Sequence, residues 1–408
     1  MSEKLKITEL SNGVEVSGRV KFLISAMLFL SYVLFAVAWN WGDLYVRSLG
    51  FNASRTALMT NAITLAQVIG SLVAANVLLR MGPRHAFTLA SGLIVAGGLV
   101  SLTDAFPLIF FIRFVLGLGG ALMVVLLSGI VARLLTGGAL QVANGLNSVA
   151  FNTGLAVALT FGAQMAGNPA FAVVLAASLS LVLLLLWLLV ARRGLKSQAT
   201  QSTTVDSSFT MRDGFREWFN WVFALSYTGL LSYYIVAFTF MDPETIRWVV
   251  YAGVVGALSA TLVSTRVPDA HKALVVVVCG AAQVIAAASV LAMTDHRLAP
   301  LVGIILGLVI FFPMPFFVQL AFVRPGVTPR QIAVTFSIFW AVAYAGSVVF
   351  IQIFAWIADA TGGLENGIPV SNVPLVFIVF VESTFVIGTF LLWRWFKKNP
   401  PVSAEAKA

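Results

Sequence analysis

This sequence predicts an all-α membrane protein: twelve transmembrane helices in two pseudo-symmetric six-helix bundles. Three observations carry the prediction. Of 408 residues, 60% are hydrophobic and only 10% charged, far from the balance of a soluble domain. Apolar runs of about 20 residues, the length a helix needs to cross some 30 Å of hydrocarbon, recur twelve times. One long polar stretch, "RRGLKSQATQSTTVDSSFTMRDGFRE", falls between the sixth and seventh runs and reads as a solvent linker.

The expected spans 1 to 6 cover residues 21–45, 56–79, 86–102, 107–134, 144–165 and 170–191. Spans 7 to 12 follow at 218–240, 245–265, 273–293, 300–322, 331–357 and 374–395. The implied organisation is an N-terminal tail (1–20), a first bundle (21–191), a linker (192–217), a second bundle (218–396) and a C-terminal tail (397–408). The N-terminus lacks the basic start, short apolar core and cleavage site of a signal peptide.

Orientation follows from the basic residues. Twenty of the 25 lysines and arginines fall in the tails and loops on the side of the termini, while Arg47, Arg55, Arg247 and Arg297 fall on the other side. That bias predicts cytoplasmic termini in a cell membrane, the bacterial inner membrane being the expected one. The net charge of +9 sits in short loops and not in an aromatic-interleaved basic patch, so nucleic acid is not an expected partner. Arg113 belongs to neither side: it stands within "FFIRFVLGLGGAL" in span 4, where an unpaired charge costs at least about 2.5 to 3.5 kcal/mol.

Other chemistry is sparse. The single cysteine, Cys279, excludes an intrachain disulfide, and His85, His271 and His296 are not spaced as metal ligands. Walker loops, nucleophile elbows and paired catalytic carboxylates are absent from the sequence, so neither an enzyme, a cofactor, a metal nor ATP-driven transport is expected. Asn52 in "NAS" fits an N-cap of span 2 better than a glycosylation acceptor.

The halves look related. "LSY" ending at Tyr32 recurs at Tyr227, 195 positions on, and "LGL" from Leu116 recurs from Leu306, 190 positions on. In the second register Arg113 falls opposite Gly303, so the charge has no twin and points to function more than to scaffold.

Twelve spans in six plus six, a central linker and "FIRFVLGLGGA" in span 4 resemble the major facilitator superfamily, whose fourth helix carries an arginine, a glycine four positions on and further glycines. These map onto Arg113, Gly117, Gly119 and Gly120. The family's loop between helices 2 and 3 is matched in "ANVLLRMGPRH" by Arg80, Gly82 and Arg84, but Ala75 and Leu79 stand where its glycine and aspartate belong. The resemblance implies two halves rocking about a midplane site lined by helices 1, 4, 7 and 10, with Gly117, Gly120, Arg80, Gly82 and Arg84 in gating roles.

The polar and aromatic residues of those helices are the candidate substrate contacts: Arg113, with Tyr32, Asn40 and Trp41 in span 1, Tyr227, Tyr233 and Tyr234 in span 7, and Phe312, Phe316 and Gln319 in span 10. Pro313 and Pro315 invite a kink that serves gating. Asn147 and Asn152 in span 5 and Trp340 and Tyr344 in span 11 join the set, the alternative being interhelical bonds and packing. Asp43 is the candidate coupling carboxylate, and equally the candidate partner of a structural Arg113 ion pair. Glu382, mid-span in the last helix, reads as a protonated or snorkelling group more than as a coupling site.

The expected function is secondary active or facilitative transport by alternating access of a small organic solute, an anion such as a carboxylate because a guanidinium offers a carboxylate a planar fork of donors. Proton-coupled efflux of drug-like compounds is the alternative within transport; a lipid scramblase or non-transporting receptor is the alternative outside it. The expected partners are the small molecule, the bilayer and protons as coupling ion, on a monomer.

Overall fold

The computed structural model describes residues 18–135, 137–194, 209–264, 266–292 and 297–400. Residues 1–17, 195–208 and 401–408, which hold most of both expected tails and of the linker, lie outside the described residues, as does His296. Twelve helices are long and apolar enough to cross a membrane: Gly18–Ser48, Ala53–Ala74, Arg80–Leu102, Phe106–Leu127, Val149–Ala166, Pro169–Ala191, Trp218–Phe240, Pro243–Ser264, Asp269–Ala292, Ala299–Leu320, Gln331–Ala360 and Val373–Lys398. They are spans 1 to 12 of two six-helix bundles.

The bundles repeat one packing plan. Span 2 packs on 4, 1 on 5 and 1 on 6; six positions later span 8 packs on 10, 7 on 11 and 7 on 12. The halves meet through span 2 against 11 and span 5 against 8, the two contacts that a two-fold axis between the bundles exchanges.

Local chemistry sets the ends. Asn52 caps span 2, its Oδ1 accepting from the Arg55 amide at 3.1 Å. Thr328 and Gln331 form a capping box at the start of span 11, and Thr210 and Asp213 another on the short helix Met211–Arg216. The Thr210 hydroxyl, and with it the Thr210 amide, holds the Asp213 carboxyl below the usual carboxylate range. That short helix folds back on span 7, where Asn220 donates to the Gly214 carbonyl at 2.8 Å and Trp221 to that of Phe215 at 2.7 Å.

Three breaks matter. The helix Ala53–Ala96 runs through spans 2 and 3 with a single interruption at Gly82, whose φ of 72° and ψ of 166° are open to glycine almost alone. Span 10 is divided into Ala299–Phe311 and Met314–Leu320 around Phe312 and Pro313, because a proline there removes a helical donor. Span 12 is divided at Ser383. Between spans 11 and 12, Leu364–Glu365 and Ile368–Pro369 pair as a two-stranded hairpin, with Asn366 and Gly367 both at positive φ in the Asn-Gly turn such hairpins favour.

Candidate functional site

Arg113 does not face open space. Its side chain is 1% exposed and forms an ion pair with Asp43 of span 1, itself nearly sealed, while its Nε donates to the Met59 carbonyl of span 2 at 2.9 Å. Gly42 makes room for the guanidinium, since a Cβ there would stand 2.8 Å from Nη1. The arginine therefore ties together spans 1, 2 and 4 of the first bundle.

The open space lies between the bundles. A cavity of about 480 Å³ is lined by Tyr32, Trp39, Phe151, Asn147 and Asn152 from the first half and by Tyr227, Tyr234, Phe238, Phe311, Phe317, Phe339, Trp340 and Tyr344 from the second. Thr261, Ser264 and Gln319 complete its polar wall, and Pro315 lies at the kink of span 10. Trp340 stacks on Tyr344 at 5.6 Å and meets Tyr227 edge-on at 5.8 Å, while Trp39 meets Phe238 edge-on at 5.7 Å across the halves. Tyr234 donates to Asn152 Oδ1 at 2.6 Å, also across the halves. Gln319 Nε2 donates to Ser264 at 3.0 Å, and Gln319 Oε1 and Asn147 Nδ2 are buried without a hydrogen-bond partner among the described residues.

Six expected contacts lie elsewhere, for reasons of helical phase. Tyr32 and Trp39 are seven residues apart, two turns, and share the cavity face; Asn40 and Trp41 are turned about 100° and 200° away. Trp41 donates instead to the Ala158 carbonyl at 3.1 Å, and Asn40 borders a different cavity. Tyr233 is rotated out of the Tyr227, Tyr234 and Phe238 stripe and is 1% exposed. Phe312 and Phe316 pack on each other, ring centres 5.6 Å apart, about 100° from the Phe311, Pro315 and Gln319 face. Arg113 is the sixth. Trp39, Phe151, Phe238, Phe311, Phe317 and Phe339 are not among the expected residues; stepping seven along span 1 from Tyr32 is the signal that finds the first of them.

The cavity is closed on the face away from Gly18 and Lys398. There Asp359 of span 11 accepts from the Ala53 and Ser54 amides, both at 3.0 Å, and from the Ser54 hydroxyl. Asn61 donates to the Val348 carbonyl at 3.2 Å, Arg47 to the carbonyls of Thr239 and, at 3.4 Å, Phe238, and the Thr160 and Tyr251 hydroxyls are 2.5 Å apart. On the opposite face the lining reaches Ser264 and Gln319, at the last turns of spans 8 and 10. Within the closed face a second cavity of about 350 Å³ is bordered by Asn40, Asp43, Arg47, Asp242, Glu244 and Arg247.

The glycines of span 4 let helices touch. A Cβ on Gly117 would stand 2.6 Å from the Ile63 carbonyl of span 2, and one on Gly120 would strike the Phe35 ring at 2.1 Å. Arg80 and Arg84 flank the Gly82 turn, and neither makes an ion pair among the described residues. Those residues also hold no cluster of metal-ligating side chains.

Known proteins share this architecture. The chain is similar to a mutant of the nucleoside transporter NupG, with a TM-score of 0.69 and 11% identity over 92% of this chain and 100% of that one. It is similar to the inward-open xylose transporter XylE from E. coli, with a TM-score of 0.70 and 13% identity over 94% of this chain and 98% of that one. The uncharacterized protein Cj0987c of Campylobacter jejuni subsp. jejuni serotype O:2 is 24% identical over 225 residues, 53% of this chain and 69% of that protein. The sequence profile of the Major Facilitator Superfamily matches residues 22–351. With the twelve spans, the paired bundles and the cavity between them, this match makes the chain an integral membrane transporter, not an enzyme, of the Major Facilitator Superfamily.

Proposed function

We propose that the protein moves a small uncharged organic solute, bearing hydroxyl or amide groups and a flat face, across the membrane by alternating access driven by protons. The observation that carries this is the wall of the 480 Å³ cavity: rings, amides and hydroxyls, with no Asp, Glu, Lys or Arg among the described lining residues. An ion entering there would be desolvated without a counter-charge, whereas rings stack on flat faces and amides orient hydroxyls. The solutes named for NupG and XylE, a nucleoside and xylose, are uncharged and rich in hydroxyls, which supports the reading. The carboxylate solute rested on Arg113, whose guanidinium is committed to Asp43 and Met59.

With the termini cytoplasmic, as the basic bias favours, the cavity opens inward and the Asp359 side is the sealed outer face. Asp43 then borders an outer cavity and faces Arg113 from inside the first bundle, the position of a coupling carboxylate. Protonating it removes the partner of a buried guanidinium, which biases the packing of spans 1, 2 and 4. We take the transport unit to be the monomer.

Uptake into proteoliposomes of pentoses, hexoses, nucleosides, monocarboxylates and cationic dyes, with and without a pH gradient, tests the reading. Saturable, gradient-driven movement of a neutral solute is expected, with KM raised at least tenfold by Trp340→Ala or Tyr227→Ala. Accumulation of carboxylates alone would overturn it. The preponderance of rings in the wall favours a second reading, export of amphiphilic aromatic compounds, which movement of the dyes alone would select.

A further inference from the structure

Behind span 7, away from the cavity, lies a second set of buried polar side chains. Glu382 of span 12 and Gln283 of span 9 are 0% exposed and Tyr233 of span 7 is 1% exposed. Both carboxylate oxygens of Glu382, both amide heteroatoms of Gln283 and the Tyr233 hydroxyl lack a hydrogen-bond partner among the described residues. Buried polar atoms are satisfied in the great majority of cases, so five such atoms on three packed spans call for a missing partner.

Register brings them together. A Cβ on Gly229 would stand 2.1 Å from the Val381 carbonyl, so spans 7 and 12 touch backbone to backbone, and Tyr233 follows one turn on, within electrostatic reach of Glu382. A Cβ on Gly280 would stand 3.1 Å from Phe385; the two spans are antiparallel, so Gln283, three residues on, comes level with Glu382, three residues back. The carboxylate sits about 14 Å into its span at 1.5 Å per residue, close to mid-membrane, beside the interruption at Ser383.

Among the described residues no fixed cation answers this charge. The four ion pairs among the described residues are Arg113 with Asp43, Arg247 with Glu244, Lys272 with Asp269 and Arg324 with Glu217. On the spans packed against Glu382, Tyr227, Tyr234 and Tyr344 face the cavity, Asp359 binds span 2, His271 is exposed and Cys279 is half-buried beside Gly280. A carboxylate buried without a counter-charge costs several kcal/mol, and oxygen ligands suit a small hard cation.

We propose that Glu382, with Gln283 and Tyr233, binds one monovalent cation, a proton or Na⁺, inside the second bundle. The site stands apart from the solute cavity and does not depend on which solute that cavity takes.

Thermal unfolding of the purified protein, in NaCl against choline chloride at constant ionic strength and across a pH series, tests it. Wild type is expected to gain several degrees in Tm from Na⁺ over choline, which identifies Na⁺, or from acidification, which identifies the proton; E382Q is expected to lose that response. Identical responses of wild type and E382Q would overturn the proposal. Should E382Q not accumulate, infrared difference spectra of D43N, in which the other carboxylate buried among the described spans is gone, follow the native Glu382: a carboxyl band that changes with Na⁺ or pH supports the site, and an unchanging one overturns it.

Discussion

Arg113 of span 4 and Asp43 of span 1 form an ion pair sealed inside the first bundle, with one atom on each side, Asp43 Oδ2 and Arg113 Nη1, left without a partner among the described residues. Removing one member of such a pair leaves a bare buried charge, which costs about 3 to 5 kcal/mol. Arg113→Ala is therefore expected to destabilise the protein by that amount, and Arg113→Ala/Asp43→Ala to recover most of it. Denaturant unfolding in mild detergent measures both; equal losses in the single and double variants would show that the two residues are not coupled.

Asp43→Asn separates coupling from transport. The asparagine keeps an acceptor for Arg113 but cannot change charge, so solute exchange at equal pH is expected to persist while accumulation against a gradient falls at least tenfold. Counterflow and gradient-driven uptake, compared in the same vesicles, read the split. Undiminished accumulation would exclude Asp43 as the proton carrier.

Asp359 spans the two halves by accepting from the amides of Ala53 and Ser54. Cysteines at Ser54 and Asp359, in a Cys279→Ser background, are expected to form a disulfide that holds the distal face shut and abolishes turnover. Reduction restores it. Transport unaffected by oxidation, with the cross-link present on a gel, would show that this face need not open.

Tyr234 and Asn152 join the two halves in the cavity wall with a 2.6 Å bond. Tyr234→Phe removes about 1 kcal/mol from the state that holds this bond, roughly a fivefold shift in population toward the opposite-facing state. Accessibility of a cysteine placed on the distal cavity, at Gly162, to a membrane-impermeant thiol reagent is expected to rise accordingly, again in the Cys279→Ser background.

The twelve spans and their division were legible because hydropathy summed over twenty residues is a strong signal and needs no knowledge of which way any side chain points. The site demands that knowledge. Tyr233 and Tyr234 are adjacent in sequence, yet the second lines the cavity and the first is buried away from it, a difference of about 100° that tyrosine content does not report. Arg113 shows a second limit. An intramembrane charge signals a partner, and the sequence leaves Asp43 and cargo as alternatives; the packing of span 1 on span 4 brings Asp43 to it. Glu382 shows the same limit, since half of the most apolar stretch of its span is buried and the carboxylate is on that side.

Span 6 buries 28% of its most apolar stretch inside the protein and span 7, next in sequence, 83%. Lipid chains therefore press on the first of these and hardly at all on the second, which supplies much of the cavity wall. A change in acyl-chain length, which tilts helices at a cost of fractions of a kcal/mol per Å, is felt at the rim of each half and reaches the solute only by turning that half as a body. Bilayer thickness should thus tune how often the carrier switches sides while leaving its grip on the solute unchanged.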